Sequence, residues 1–479
     1  MSVTEAVDVP LCVNCESALL KTNIYYEAIF HLIRKNLLHA FALPIWLLRG
    51  KSALIEHVSR EVRINWHLLP FREPVLERMR VAHTGHRRVL LLTSMPEVWA
   101  QDLAVELNLA EIVSVDENSR EASVEHIKSR LTSLFGAQGF DYIGDGRRDL
   151  PVCKLARQVL IVASNRATIA RANANASVES VIPREGAGFF TFIKMIRVHQ
   201  WVKNCLIWVP LLAAHRLGSM HEIGIGAIAF VAFSFCASSV YVLNDLVDLE
   251  SDRQHVRKRN RPIASGKVAV NQALIVGLLL FLTSVYLAFQ ISSLFVMTLA
   301  IYFAMTLTYS LRLKRQVIVD VMLLAALYTI RVVAGAVATI VVPSFWLLAL
   351  SMFLFLSLAV VKRYSEMLVT LSQDKQYAAG RGYSVADMPV LLSLGVSAGI
   401  AAIVVLALYI NDPTTSKLYP ATIWLWPVPP LILYWVSRVW MKAHRGEMHD
   451  DPVVFAMRDW QSLVTLALVG MCFAAATVS

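Results

Sequence analysis

The chain has 479 residues, a formal net charge of +10 and an apolar fraction of 56%, with a mean hydropathy of +0.55. That is more than one ordinary domain and too apolar for a soluble protein. The charge is not gathered with aromatic platforms on a soluble domain, so nucleic acid is not the expected partner.

The first 165 residues read as a soluble α/β domain. Short apolar runs, "PLCV", "RRVLLLTS", "AEIVSV", "FDYIGD" and "QVLIVAS", alternate with helical stretches, the pattern of a parallel sheet. The start "MSVTEAVDVPLC" lacks a basic stretch followed by an apolar one, so no signal peptide is expected. The six cysteines are scattered and suggest no disulfide framework; the Cys12-Val-Asn-Cys15 pair is read as ordinary packing. A helical insertion follows the first strand, roughly Lys21 to Phe71. It contains "LLHAFALPIWLL", flanked by Arg34, Lys35 and Arg49. This run is too short to span a bilayer and reads as a cap helix touching the membrane surface.

The end of the first strand, "CVNCESAL", together with Thr93 and Ser94, Lys128, and "GDGRRD" with Asp145 and Asp149, resembles the haloacid dehalogenase phosphatase family in degraded form. The resemblance implies a nucleophilic aspartate where Asn14 stands, an acid/base aspartate where Glu16 stands and a threonine where Ala18 stands. It also implies that Thr93, Lys128, Asp145 and Asp149 would hold phosphate and magnesium. An amide cannot readily form an aspartyl-phosphate and is a poorer magnesium ligand than a carboxylate. The domain is therefore expected to lack phosphatase activity and to bind a phosphorylated ligand, regulate its neighbour or stabilise it.

Residues 166–187 are polar and low in aromatics, as a linker would be. From residue 188 to 479 about nine membrane helices are expected, near 188–214, 222–244, 270–289, 292–310, 317–341, 344–364, 388–411, 420–441 and 459–478. Basic residues concentrate in alternate loops: Arg253 to Lys267, Arg312 to Arg315, Lys362 to Arg381 with Lys375, and Lys442 to Arg458. By the positive-inside rule these loops and the N-terminal domain are cytoplasmic, in an inner (plasma) membrane.

The strongest chemical signal is "NDLVDLESD", at the end of the second apolar run. Asn244, Asp248 and Asp252 are four apart, with Asp245 three before Asp248, which on a helix places them on one face. Clustered carboxylates at a membrane helix end are costly unless a cation neutralises them. An oxygen-rich set suits Mg2+ shared with a substrate phosphate. A solvated helix end is the bland alternative. Arg257, Lys258, Arg259 and Arg261 follow at once, and guanidinium groups grip phosphate in bidentate fashion.

A second constellation runs through "TYSLRLKRQVIVDVMLLAALYTIRVVAGA", with Tyr309, Ser310, Arg312, Lys314, Asp320 and Arg331. Asp320 and Arg331 share a face three turns apart and must be paired or line a cavity. A structural Asp–Arg pair is the alternative. A third cluster holds Lys362 and Glu366 at i,i+4, beside Arg363, then Arg381 and Tyr383; its bland reading is a helix-end ion pair.

With the aspartate signature, the helix count and the second Asp-bearing loop, residues 188–479 resemble the UbiA-type intramembrane polyprenyl transferase superfamily. "NDLVDLESDRQHVRKRNRPIASG", "YSLRLKRQVIVD", "KRYSE" and the late "DDPVVFAMRD" (Asp450 to Asp459) look most like its decaprenyl-phosphate phosphoribosyltransferase branch. The resemblance implies phosphoribosyl pyrophosphate as donor, held through magnesium on Asp245, Asp248, Asp252 and Asn244, and a polyprenyl phosphate as acceptor. Arg257, Lys258, Arg261, Arg312, Arg331, Lys362 and Arg363 would bind phosphates. Lys314 and Asp320 would join Asp245 and Asp248 in catalysis, and Tyr309 would bond a ribose or phosphate oxygen. Alternatives are prenylation of an aromatic acceptor with the same aspartates and, in another class, a transporter or lipid-binding scaffold. A homo-oligomer is compatible with either.

Overall fold

The computed structural model describes residues 9–36, 38–108, 111–114, 120–163, 165–184, 186–216, 218–374, 376–377, 381–448 and 451–478. Lys375 and Asp450 lie outside them. The chain divides into two compact units, one of residues 1–196 and 242–276, the other of 197–241 and 277–479.

The first unit is built on a six-stranded sheet, β1 Leu11–Asn14, β2 Val89–Thr93, β3 Glu111–Ser114, β4 Asp141–Gly144, β5 Val159–Ala163 and β6 Val178–Pro183. The strand order is β3-β2-β1-β4-β5-β6, with every pairing parallel. The five apolar runs form β1 to β5. β1, β2, β4 and β5 are buried along their length, as a sheet covered on both faces requires. Residues 166–187 depart from the expected linker: they form the helix Arg166–Asn173 and the edge strand β6. Only one β6 residue is fully buried, so the strand lacks the apolar run that marks the others. Cys12 and Cys15 are buried and unbridged.

The insertion after β1 forms α1 Ile24–Lys35, α2 His39–Leu48 and α3 Lys51–Glu61. The side chain of Asn23 caps α1 by accepting from Tyr25 and Tyr26 N–H.

Among the described residues seven helices are long and apolar enough to cross a membrane: Met220–Val247, Val270–Ile291, Ser293–Leu311, Val319–Ala338, Phe345–Leu371, Val385–Ile410 and Trp460–Thr477. The count of nine is not reproduced. The segment expected at 188–214 is broken into Phe189–Met195, the 3-10 helix Val198–Trp208 and Val209–Ala213. The 420–441 segment is a 3-10 turn, Thr422–Leu425, followed by the 17-residue helix Val428–His444. The 3-10 helix packs tightly on the Val319–Ala338 helix because Gly335 leaves room: a β-carbon there would collide with the Ile207 carbonyl. The chain is thus a multi-pass membrane protein carrying an N-terminal parallel-sheet domain.

Candidate active site

In the first unit the acidic signature does not lie on one unbroken helix. The Met220–Val247 helix stops at Asp248, whose φ and ψ are −91° and 12°, and Leu249–Gln254 forms a new short helix. Backbone bonds still step through the break, Asp248 N to Asn244 O and Asp252 N to Asp248 O, both 2.8 Å. Asp245 and Asp252 are buried and converge on one cation. Nη1 of Arg261 donates to Asp245 Oδ1 at 2.9 Å and to Asp252 Oδ2 at 2.5 Å. Arg261, expected on a substrate phosphate, is engaged by these carboxylates instead. Asp248 is half-buried. Among the described residues no three His, Cys, Asp or Glu side chains gather closely enough to hold a metal. Of the four expected ligands, Asp245 and Asp252 are the two that the structure brings together, on Arg261. Once the Arg261 guanidinium turns away from it, that pair fits magnesium, which commonly takes one or two carboxylates and completes its shell with water and substrate phosphate.

Arg253 donates to both oxygens of Glu27, at 2.6 and 2.7 Å, and so belongs to a packed ion pair. Arg257, Lys258 and Arg259 are exposed on the loop.

In the second unit the polar groups form two buried clusters. The first centres on Asp320, which is fully buried. Its Oδ2 accepts from Arg363 Nε at 2.5 Å and its Oδ1 from the Tyr383 hydroxyl at 2.5 Å. Arg363 also donates to Tyr309 Oη at 2.7 Å and pairs with Glu366. Arg381 adds a bond to Tyr309 Oη at 3.0 Å. Tyr383 Oη accepts from Ile318 N at 2.9 Å. Ile318 has φ 67° and ψ −46°, and Val319 N bonds Val317 O at 2.8 Å. This is a γ-turn of the strained hand, at a β-branched residue, directly before Asp320.

The second cluster centres on Asp451. It accepts from Lys203 Nζ at 2.8 Å, Lys362 Nζ at 3.1 Å and the Tyr328 hydroxyl at 3.0 Å. Burial alone would raise this carboxyl, but the ammonium groups of Lys362 and Lys203 hold it well below the usual carboxylate range. Arg331 lies 5.7 Å from the Tyr328 ring. It donates to Asn204 Oδ1 at 2.8 Å and Tyr302 Oη at 3.1 Å, with no carboxylate partner among the described residues. Two ammonium groups, Lys203 and Lys362, thus meet one carboxylate, Asp451, while Arg331 lies against the ring of Tyr328, whose hydroxyl donates to that carboxylate, so lysine outnumbers carboxylate in this cluster.

The two ion pairs that stood as alternative readings do not form. Asp320 and Arg331 do not meet: 11 residues of helix separate them by about 16 Å of rise, beyond side-chain reach. Lys362 does not pair with Glu366, because Asp451 takes Lys362 while Arg363 takes Glu366. Lys203, Asn204, Tyr302 and Tyr328 were not singled out from sequence. A lysine inside the apolar run 188–214 was the available signal. Arg312 is exposed and Lys314 half-buried.

In the sheet domain, parallel register brings Asn14, Thr93 and the "GDGRRD" loop to the same edge of the sheet. Asn14 Nδ2 lies 3.4 Å from Asp149 Oδ1, and Ser17 Oγ donates to Asp149 Oδ2 at 2.8 Å. Glu16 Oε1 accepts from Thr93 Oγ1 at 2.9 Å, Ser94 N at 2.7 Å and Ser94 Oγ at 3.0 Å. The cradle expected to hold a phosphate oxygen is filled by the chain's own carboxylate. Arg184 bridges Asp145 Oδ2 at 3.3 Å and the Ser17 carbonyl at 3.0 Å. Burial pushes the Asp149 carboxyl up to about 6. Lys128 does not reach this edge; it meets Glu125 at 3.1 Å on the outer side of its own helix.

Residues 205–463, more than half the chain, match the UbiA prenyltransferase family. The chain is 32% identical to the uncharacterized protein y4nM of Sinorhizobium fredii, over 97% of this chain and 90% of that one. It is 38% identical to the decaprenyl-phosphate phosphoribosyltransferase of Mycobacterium tuberculosis, over 36% of this chain and 59% of that protein's length. A UbiA homolog from Archaeoglobus fulgidus, solved with DMAPP and Mg2+, superposes with a TM-score of 0.46 at 16% identity, over 60% of this chain and all of that one. The family match and the full-length relative together establish that this chain is a transferase belonging to the UbiA prenyltransferase family.

Proposed function

We propose that this transferase moves a 5-phosphoribosyl group from phosphoribosyl pyrophosphate to a polyprenyl phosphate, with Mg2+ as cofactor. The observation that carries this reading is the pair of lysines, Lys203 and Lys362, on the one carboxylate Asp451, with Arg331 beside Tyr328, which suits a reaction in which both substrates bear phosphate. The name of the mycobacterial relative carries the same acceptor class and the same transferred group.

The acceptor phosphate oxygen forms a bond to ribose C1 as the bond from C1 to pyrophosphate breaks. The nucleophile is already anionic, so no strong general base is needed and alignment and charge neutralisation dominate. Asp245 and Asp252 would hold the metal, with Asn244 and Asp248 behind them at the helix break. Bound there, Mg2+ would supply positive charge to the leaving pyrophosphate. Lys203, Lys362 and Arg331 would bind and orient phosphate oxygens. Asp320, fixed between Arg363 and Tyr383, positions that guanidinium and the Tyr309 hydroxyl. Lys314, Arg312, Arg257 and Lys258 would meet phosphates from the basic loops. Those loops and the sheet domain would face the cytoplasm, where a soluble phosphorylated donor is found. The sheet domain, haloacid dehalogenase-like with Asn14 at the nucleophile position, would be a phosphatase relative without turnover.

The test uses purified protein in nanodiscs with radiolabelled phosphoribosyl pyrophosphate and a polyprenyl phosphate. Labelled lipid and released pyrophosphate are expected in equal amounts, and neither from Asp245→Asn. Transfer only from a prenyl diphosphate to an aromatic acceptor would select the other family chemistry. Metal-independent lipid flux without turnover would select a transporter.

A further inference from the structure

Helix α2 carries a surface that the transferase chemistry does not use. Its inner side chains Leu43 and Trp46 pack on the core of the sheet unit. Trp46 also stacks on His57 with ring centroids 5.1 Å apart. The outer side is a stripe of Leu38, Phe41, Ile45 and Leu48, spaced three, four and three residues apart and so aligned on one face. These side chains are 69%, 78%, 55% and 89% exposed. Water-facing surfaces seldom carry so continuous an apolar patch. Exposed basic residues bracket it, Arg34 and Lys35 before and Arg49 and Lys51 after.

Helix α1 sets the level at which this stripe sits. On α1, Glu27 is gripped by Arg253, while His31 and Arg34 lie 3.2 and 3.7 Å from Glu250. Glu250 and Arg253 follow within two helical turns of Val247, where a membrane span ends. Residues 242–276, which include that end and the start of the next span, belong to the same compact unit as the sheet. The stripe begins four residues after Arg34, so the chain itself ties it to the point where a span leaves the bilayer.

We propose that α2 is an interfacial membrane helix. Its Leu38, Phe41, Ile45 and Leu48 face enters the acyl-chain boundary, and Arg34, Lys35, Arg49 and Lys51 lie against anionic headgroups. At 10 residues the helix cannot span, and its near-uniform apolar character suits a shallow position in the bilayer. The helix thereby docks the sheet domain on the membrane independently of the identity of the transferred group.

The experiment uses the full chain in nanodiscs of zwitterionic and anionic phospholipid. Nitroxide labels are placed at Phe41→Cys or Leu48→Cys in a Cys205→Ser/Cys472→Ser background. Val105→Cys, at a position 82% exposed on another helix of the sheet domain, is the aqueous control. Collision with oxygen and with a water-soluble nickel chelate is measured by power saturation. Labels at 41 and 48 are expected to collide with oxygen severalfold more, and with the chelate severalfold less, than the label at 105. Chelate access at 41 and 48 equal to that at 105 would overturn the proposal in favour of a water-facing helix. Exclusion of both reagents would overturn it in favour of a protein partner, a second copy of the chain included.

Discussion

Replacing Arg363 by methionine tests whether the Asp320 cluster is a self-contained ion pair. Arg363 is 1% exposed and Asp320 0%. The change strips Asp320 of one of its two side-chain partners and takes a donor from Tyr309 and a cation from Glu366. Breaking a buried pair by removing one member costs about 3–5 kcal/mol, because the other charge stays buried without compensation. In a unit of this size that is roughly a 10 °C fall in the unfolding midpoint. Removing both charges with Asp320→Leu/Arg363→Met should recover at least about 2 kcal/mol of that loss. Recovery stays incomplete because the Tyr383 hydroxyl loses its acceptor, worth about 1 kcal/mol. Thermal unfolding of the purified protein, followed by tryptophan fluorescence, gives all four midpoints of the cycle. A double variant that falls by the sum of the two single losses would refute the reasoning, since the charges would then not be coupled.

On the proposed reaction, Asp245→Asn should lower turnover at least about 100-fold, by removing charge that would hold Mg2+; steady-state lipid transfer checks it. Burial raises the Asp149 carboxyl to about 6. Its folded form therefore holds the proton more tightly than the unfolded chain, which releases it near 3.9. The resulting stability is complete below about pH 4 and lost as pH rises through 6, amounting to about 3 kcal/mol. Midpoints across that window should fall in the parent and stay flatter in Asp149→Asn. Glu16→Ala removes the acceptor of three hydrogen bonds and should destabilise the sheet domain by about 1–3 kcal/mol. Inorganic phosphate should raise the midpoint of that variant and leave the parent unchanged.

The sheet domain was legible because four of its strands are buried on both faces and therefore appear as uninterrupted apolar runs. β6 was not, because an edge strand with one buried residue has the composition of a linker. The aspartate signature was legible as carboxylates at an apolar helix end. Its partner was not, because Arg261 is one of several equivalent cations in the sequence and only the backbone turn selects it. The same holds for Lys362 and Arg363, adjacent in sequence but drawn to different carboxylates by the side of the helix each occupies. The 188–214 segment was apolar enough to read as a span, yet the structure breaks it near Arg197, whose φ is 56°. No motif marked that break.

The surplus of cations around Asp451 makes an incoming anion part of the fold's own charge balance. Any ligand that binds only the native state shifts the unfolding equilibrium by mass action. Under the proposed reaction a phosphate-bearing substrate would therefore also act as a folding ligand, and the lifetime of this protein in its membrane should track the local supply of that substrate.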